Sequence, residues 1–110
     1  MESIRTLIFD STDESVLVGT LTGKLLRWWI QDFNEPRPVA TFDHSVLHIR
    51  YNYHSDGHRF LVVGLSSGMF AILKEVEFEH NMNFVLGYYG HMPSTEARNP
   101  HFGSLRKFKY

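Results

Sequence analysis

The sequence predicts an all-β protein with two four-stranded antiparallel sheets and an irregular C-terminal segment. Two observations support this fold class. Apolar and polar residues alternate with a period of two along much of the chain, as they do in strands with one covered face. The same order of strands and turns then occurs twice, because Gly64 and Gly68 each stand 45 residues after Gly19 and Gly23.

The first unit, residues 1–44, contains four predicted strands. Its elements follow in the order strand 4–9, turn 11–14, strand 15–20, turn 21–24 and strand 25–30. Pro36 and Pro38 indicate a surface connection over residues 31–38, because proline removes a backbone donor from a ladder. A shorter fourth strand is expected at residues 39–42.

The second unit, residues 45–91, repeats this order. Apolar positions in its first strand stand 42 residues after their counterparts, with Val46, Ile49 and Tyr51 following Ile4, Leu7 and Phe9. Glu75, Glu77 and Glu79 alternate with other residues, so the third strand is expected to continue with the glutamates on a wet face. The final strand is expected at residues 84–89. A period of 42 to 45 residues with four strands per unit is typical of propeller blades.

The sequence also carries a family resemblance. Val18-Gly19-Thr20, then Gly23 with Trp28 five residues later, and Gly90-His91 at the end of the last strand, resemble WD-repeat β-propellers. The resemblance covers residues 4–91 and implies two blades of an incomplete propeller. It also implies a structural network of histidine, serine or threonine, aspartate and tryptophan.

Several positions of that network differ here. His44 and His91 lie where the family's histidine is expected, but Thr22 and Ser67 occupy the aspartate position. Leu73-Lys74 replaces the Trp-Asp pair of the second unit. The stretch from Leu61 to His91 is more specifically similar to echinoderm microtubule-associated-protein-like blades, which implies a cytoskeletal setting.

Composition excludes several classes of function. The chain has no cysteine, which rules out disulfides, thiolate zinc sites and cysteine nucleophiles. Its formal net charge is −1, so no basic face marks the whole domain as a nucleic-acid binder. No apolar run is long enough to span a membrane, and we expect a cytoplasmic or cytoskeletal location without membrane contact.

The candidate catalytic and metal-binding residues have simpler interpretations. Asp10, Asp13 and Glu14 could form an acid and base pair, but they flank a turn where carboxylates usually cap the backbone. His44 and His48 are too far apart on a strand to share an ion, whereas His54 and His58 lie in a turn with Asp56. We expect no catalytic site, no metal site and no cofactor.

The candidate partner-binding residues are aromatic or basic. They are Trp29, Tyr88, Tyr89, Phe102, Arg106, Lys107, Phe108 and Lys109. For Trp28-Trp29, core packing is favoured over a binding role, because neighbouring blades cover both faces of a propeller blade. The last five of these residues belong to the segment 92–110, which combines charge with apolar anchors and could contact an acidic neighbouring surface.

The number of blades leads to the functional expectation. Two blades cannot close a ring, since propellers typically have about four to eight. We therefore expect a non-enzymatic scaffold, a two-blade segment that binds other protein chains or further blades within a larger complex. The more specific resemblance implies a cytoskeletal protein as a partner. The alternative is a small all-β domain that binds nucleic acid through the basic, aromatic tail.

Overall fold

A computed structural model describes residues 3–91, which form two four-stranded antiparallel sheets. The N-terminal sheet contains β1 (Ile4–Phe9), β2 (Ser15–Thr20), β3 (Lys24–Trp29) and β4 (Asp32–Thr41) in sequential order. The C-terminal sheet contains β5 (Val46–Tyr53), β6 (Arg59–Leu65), β7 (Met69–Phe78) and β8 (Asn81–His91), also in sequential order. Each strand pairs with its neighbour in sequence, and the predicted all-β fold with two sheets is confirmed.

The fourth strand of each sheet is longer than the sequence predicts. Residues 31–38 are not a surface connection, because β4 begins at Asp32 and continues through both Pro36 and Pro38. An edge strand tolerates proline, since the donors it lacks would face away from the ladder or fall at irregularities. Its pairing with β3 shifts register twice, which places the prolines in an irregular ladder.

The strand β8 also begins earlier than the predicted residue 84. It pairs with β7 along the whole hairpin from Phe78–Asn81 to Met69–His91, with one register shift. The turn of this hairpin consists of Glu79 and His80, which have positive φ angles of 51° and 66°. Such a turn follows the right-handed twist of its strands and therefore supports a long hairpin.

The two sheets repeat one another in register as well as in order. Leu7 pairs with Val18 in the N-terminal sheet as Ile49 pairs with Val63 in the C-terminal sheet. The next strand repeats in the same way, where Val18 pairs with Leu26 and Val63 with Ala71. Positions separated by 42 residues in the first strand and by 45 in the next two are therefore structural counterparts.

The main core lies between the sheets. Its buried members are Leu17, Leu25, Phe42, Val46, Ile49, Leu61, Val63, Leu65, Ala71 and Leu73. Gly19 permits the close approach of β5, because a Cβ there would lie 2.2 Å from a methyl carbon of Val46. Each sheet thus has an inner face, which packs on the other sheet, and an outer face.

The two repeated turn glycines have different surroundings. Gly23 has a φ of 92°, and Gly68 has a φ of 72°. A Cβ at Gly23 would lie 2.3 Å from the carbonyl oxygen of Phe42, whereas a Cβ at Gly68 would meet nothing within 4 Å. Glycine is therefore required at residue 68 mainly by its backbone conformation. At residue 23 the close backbone of Phe42 and His44, just after β4, is an additional reason.

Replacing these glycines by alanine should separate the two effects. Gly68→Ala should lower the free energy of unfolding by about 1 kcal/mol, the cost of a left-handed conformation with a Cβ. Gly23→Ala should cost about 3 kcal/mol or more, because it adds a clash with backbone atoms. Urea unfolding of the two variants measures the difference, and equal losses would contradict the clash.

Candidate interaction surfaces

A buried carboxylate organises the end of the N-terminal sheet. Asp10 is only 3% exposed. Its Oδ1 accepts hydrogen bonds from the Thr12 backbone and hydroxyl and from the Glu14 backbone, at 3.0, 2.9 and 3.1 Å. Its Oδ2 accepts from the Ser15 hydroxyl at 2.5 Å and from Arg27 Nη2 at 2.8 Å. The sequence interpretation of Asp10 as a turn cap is thus incomplete, because the same carboxylate forms a buried ion pair.

Arg27 carries this network from one sheet to the other. Its Nε donates to Ser15 Oγ at 2.8 Å, and its Nη1 donates to the carbonyl of Met82 on β8. The guanidinium also lies 4.3 Å from the ring centroid of Trp29 and 5.3 Å from that of Phe84. Arg27 therefore has ionic, hydrogen-bonding and aromatic partners in both sheets.

A second polar cluster surrounds Glu75, which is 5% exposed rather than on the wet face that its alternation predicts. Its carboxylate accepts hydrogen bonds from the Ser11 hydroxyl at 2.8 Å, Tyr51 at 3.1 Å and Arg59 Nε at 2.5 Å. The hydrogen bond with Glu75 raises the pKa of Arg59. Burial, and then the charge of Glu75, raise the pKa of Tyr51. Since Ser11 belongs to the N-terminal half, this cluster also joins the sheets.

The N-face is the outer face of the N-terminal sheet and consists of Leu7, Phe9, Val16, Val18, Leu26 and Trp28. Leu7 is 51% exposed and Phe9 is 54% exposed. Beside them, the Trp28 indole donates to the Phe33 carbonyl at 3.1 Å and its ring meets that of Phe33 edge to face. Val16 and Val18 are buried between the flanking strands, so the exposed apolar part of the N-face consists of Leu7 and Phe9, next to the half-buried Leu26 and Trp28.

The C-face is the outer face of the C-terminal sheet and consists of Arg50, Phe60, Val62, Phe70, Ile72, Lys74 and Tyr88. Phe60, Phe70 and Ile72 form a small cluster separate from the main core. The ring of Tyr88 packs on Phe70 with centroids 5.0 Å apart. Arg50 and Lys74 add positive charge to this otherwise apolar face.

The structure places three of the predicted partner-binding residues. Trp29 is half-buried under Arg27, and Tyr88 is half-buried on the C-face. Tyr89 lies elsewhere, stacked on Phe42 with ring centroids 5.6 Å apart, and is 38% exposed. The other five predicted residues lie outside the described part of the chain: Phe102, Arg106, Lys107, Phe108 and Lys109. The nucleic-acid alternative depends on that same segment.

A cleft of about 550 Å³ separates the hairpin ends of the two sheets. Trp29 and Arg27 line it on one side, and Met82 and Phe84 line it on the other. Asp10 and Tyr51, whose pKa values are shifted, do not line the cleft. The groups with these pKa shifts therefore lie outside the cleft, in buried contacts within each half of the molecule.

The turn between β5 and β6 brings two histidines to one carboxylate. His54 Nδ1 lies 3.0 Å from Asp56 Oδ1, and His58 Nδ1 lies 2.9 Å from Asp56 Oδ2. The hydrogen bond from the His58 backbone, and then that from His54, lower the pKa of Asp56. Across residues 3–91, no group of three or more metal-ligating side chains is placed to hold an ion.

The sequence interpretation missed Arg27 and Glu75 as buried charges. One signal was present, because Arg27 and Trp29 alternate with the outward residues Leu26 and Trp28. Strand alternation therefore directs Arg27 to the opposite face, where a charge requires a partner. Asp10 could be matched to it only once the strand register was known, since 17 residues separate them.

Removing Arg27 tests the network. Arg27→Met keeps much of the volume but leaves the Asp10 carboxylate buried without its cation, which should cost about 3 to 5 kcal/mol at neutral pH. The control Arg37→Met, at the exposed position that pairs with Arg27 on β4, should change stability by no more than about 0.5 kcal/mol. Similar losses in the two variants, measured by urea unfolding, would contradict a special role for Arg27.

The network should also make stability depend on pH. Burial alone would raise the pKa of Asp10, but hydrogen bonds from Ser15, Arg27 and Thr12 outweigh it and lower that pKa from 3.8 to about 2. A lowered carboxyl pKa stabilises the fold above the unfolded value and is lost as pH falls toward the folded one. The stability advantage of the wild type over Asp10→Asn should therefore shrink by about 2 kcal/mol between pH 5 and pH 2. An advantage that stays constant with pH would contradict the assignment.

Comparisons with known proteins identify no relative of this chain. Nothing matches the chain among models of protein families, curated proteins or solved structures. Within the described residues, no helix is long and apolar enough to cross a membrane.

Proposed function

We propose that this chain is a non-enzymatic protein-interaction module, a two-blade segment of a propeller-like ring that works within a larger complex. The observation that supports the proposal most directly is the N-face. Leu7 and Phe9 are each about half exposed on a surface with no charged residue among its six members. An apolar sheet face of this kind favours association with another apolar surface.

The interior of the molecule supports an architectural role. The ionisable groups with shifted pKa values are engaged in structural contacts, as Asp10 is with Arg27 in one half and Tyr51 is with Glu75 in the other. Hydrogen bonds from Arg27 to the Met82 carbonyl and from Ser11 to Glu75 join these clusters across the sheets, which favours a rigid N-face. A rigid face costs less conformational entropy when it binds, which favours docking.

The resemblance to WD-repeat propellers agrees with this proposal. In such an arrangement, the N-face would meet a further sheet of the same kind, supplied by another polypeptide or by more of the same one. Only the resemblance to echinoderm microtubule-associated-protein-like blades supports the proposal of a cytoskeletal partner.

Site-specific crosslinking tests the docking role. A photoreactive phenylalanine at Phe9 should crosslink to an apolar strand in the native complex, identified by mass spectrometry of the joined peptides. The same probe at Leu21, an exposed turn residue outside the N-face, provides the control. If the probe at residue 9 gave no more crosslinked product than the probe at residue 21, the N-face would not be a docking surface.

A further inference from the structure

The N-face and the C-face are structural counterparts of the two surfaces that the chain buries between its own sheets. The Leu7–Val18 pair of the N-face corresponds to the Ile49–Val63 pair of the C-terminal sheet's inner face. Ile49 is 5% exposed because it packs on the N-terminal sheet, whereas Leu7 is 51% exposed. Leu7 therefore has the position of an inner-face residue, yet no sheet among residues 3–91 covers it as Ile49 is covered, while its partner Val18 is buried like Val63.

The C-face shows the reciprocal relation. Val62 and Phe70 are the counterparts, 45 residues later, of Leu17 and Leu25. Leu17 and Leu25 are fully buried in the core between the sheets. The C-face thus corresponds to the inner face of the N-terminal sheet, on which the C-terminal sheet packs.

We propose that the N-face of one copy of this chain packs on the C-face of a second copy, repeating the contact between its own sheets. This inference rests on the proposed docking role of the N-face and names its occupant. The two surfaces differ, so the contact is head-to-tail and closes into a ring if the rotation permits. Closed sheet rings of about four to eight blades correspond to two to four copies of this chain.

The composition of the faces suits a contact formed after folding. Three buried polar residues of the molecule have apolar counterparts: Ser15 and Arg27 correspond to Phe60 and Ile72 on the C-face, and Glu75 corresponds to Ile30. Asp10 corresponds to the polar Asn52. Association of two copies would therefore bury mostly apolar surface, with Arg50 as a charged side chain beside Val62 on the C-face. Apolar burial of this kind is favourable in itself.

Charge at the rim has complementary signs. Lys74 pairs with Phe60 at the end of β6 that adjoins the β5–β6 turn. The corresponding end of the N-terminal sheet has exposed carboxylates at Asp13 and Glu14. A head-to-tail repeat brings these corresponding ends together, and opposite charges there would favour this register.

Two outer-face variants test the head-to-tail contact. Leu7→Glu alters the N-face and Val62→Glu alters the C-face, while Leu21→Glu makes the same change at an exposed turn as a control. In sedimentation at a series of concentrations, the wild type and the control should form oligomers of the full chain. Each outer-face variant should raise the dissociation constant about 100-fold or more, because the new carboxylate would be buried.

Mixing the variants gives the decisive result. Leu7→Glu retains an intact C-face and Val62→Glu retains an intact N-face, so an equimolar mixture should form a dimer and nothing larger. A face that paired with its own kind would instead leave one of the two variants oligomeric by itself. Circular dichroism and thermal unfolding of each variant establish that it is folded.

A third variant tests the register. The ring of His48 lies over Gly64 on the C-face. The corresponding residues of the N-terminal sheet are Thr6 and Gly19, and there the smaller threonine leaves room for Val46 to pack on Gly19. His48→Thr should therefore admit the second copy more closely and lower the dissociation constant about fourfold, the value of one buried methylene. An unchanged or weaker association would contradict the proposed register.

The remaining outcomes separate this inference from the proposed function. A folded wild-type monomer at every concentration, or a mixture of variants that stays monomeric, would overturn self-association. If the Phe9 probe still crosslinked to a different protein in the native complex, the docking role would stand with another occupant. If that probe gave no product while the pure chain still formed oligomers blocked by Val62→Glu alone, the docking role of the N-face would fail.

Discussion

The arrangement of the two sheets depends on the guanidinium of Arg27. A buried cation requires a carboxylate, and Asp10 supplies it at 2.8 Å from within the same sheet. The Nη1 group donates to the carbonyl of Met82 in the other sheet, so the guanidinium has all of these partners in only one relative position of the two sheets. A buried ion pair adds little net stability compared with apolar packing, but an unpaired buried charge costs several kcal/mol. Arg27 therefore specifies how the sheets meet more than how strongly they adhere.

Strand alternation explains why two apolar faces remain outside. A central strand with apolar residues at consecutive positions must present them on both faces of its sheet. The strand β2 does so, and every residue from Ser15 to Thr20 is buried. Within residues 3–91, the two sheets cover each other on their inner faces only. The N-face and the C-face are apolar because the central strands carry apolar residues on both faces of each sheet.

Much of the fold follows from local features of the sequence. The glycines at residues 23 and 68 both have positive φ angles, as turns require, and their spacing revealed the repeat. The prediction that residues 31–38 are a loop was wrong because it rested on Pro36 and Pro38. Proline lacks a backbone donor, but an edge strand tolerates it, and the local sequence does not show which strand lies at an edge. Strand existence is a local property, whereas strand length depends on the partner strand.

The buried polar residues were harder to predict, for a different reason. Glu75 has the same alternation as Glu77, yet one is buried and the other exposed. Ser11, Tyr51 and Arg59 reach Glu75 from three distant parts of the chain. No short stretch of sequence contains that information. The predicted partner residues Trp29 and Tyr88 were chosen for their chemistry, and only the strand register shows that Tyr88 lies on an outer face while Trp29 covers Arg27.

The Ser11 hydroxyl, bound to both oxygens of the Glu75 carboxylate, has one more consequence. Pulling the sheets apart would break this link together with that from Arg27 to Met82, and would expose the shared core to water. Each sheet is a simple succession of hairpins that could form early and locally. Neither, however, can complete its buried hydrogen bonds alone. We expect the backbone amides of β2 and β6 to exchange with solvent through one shared opening event. The two sequence repeats would then unfold as one cooperative unit, not as two.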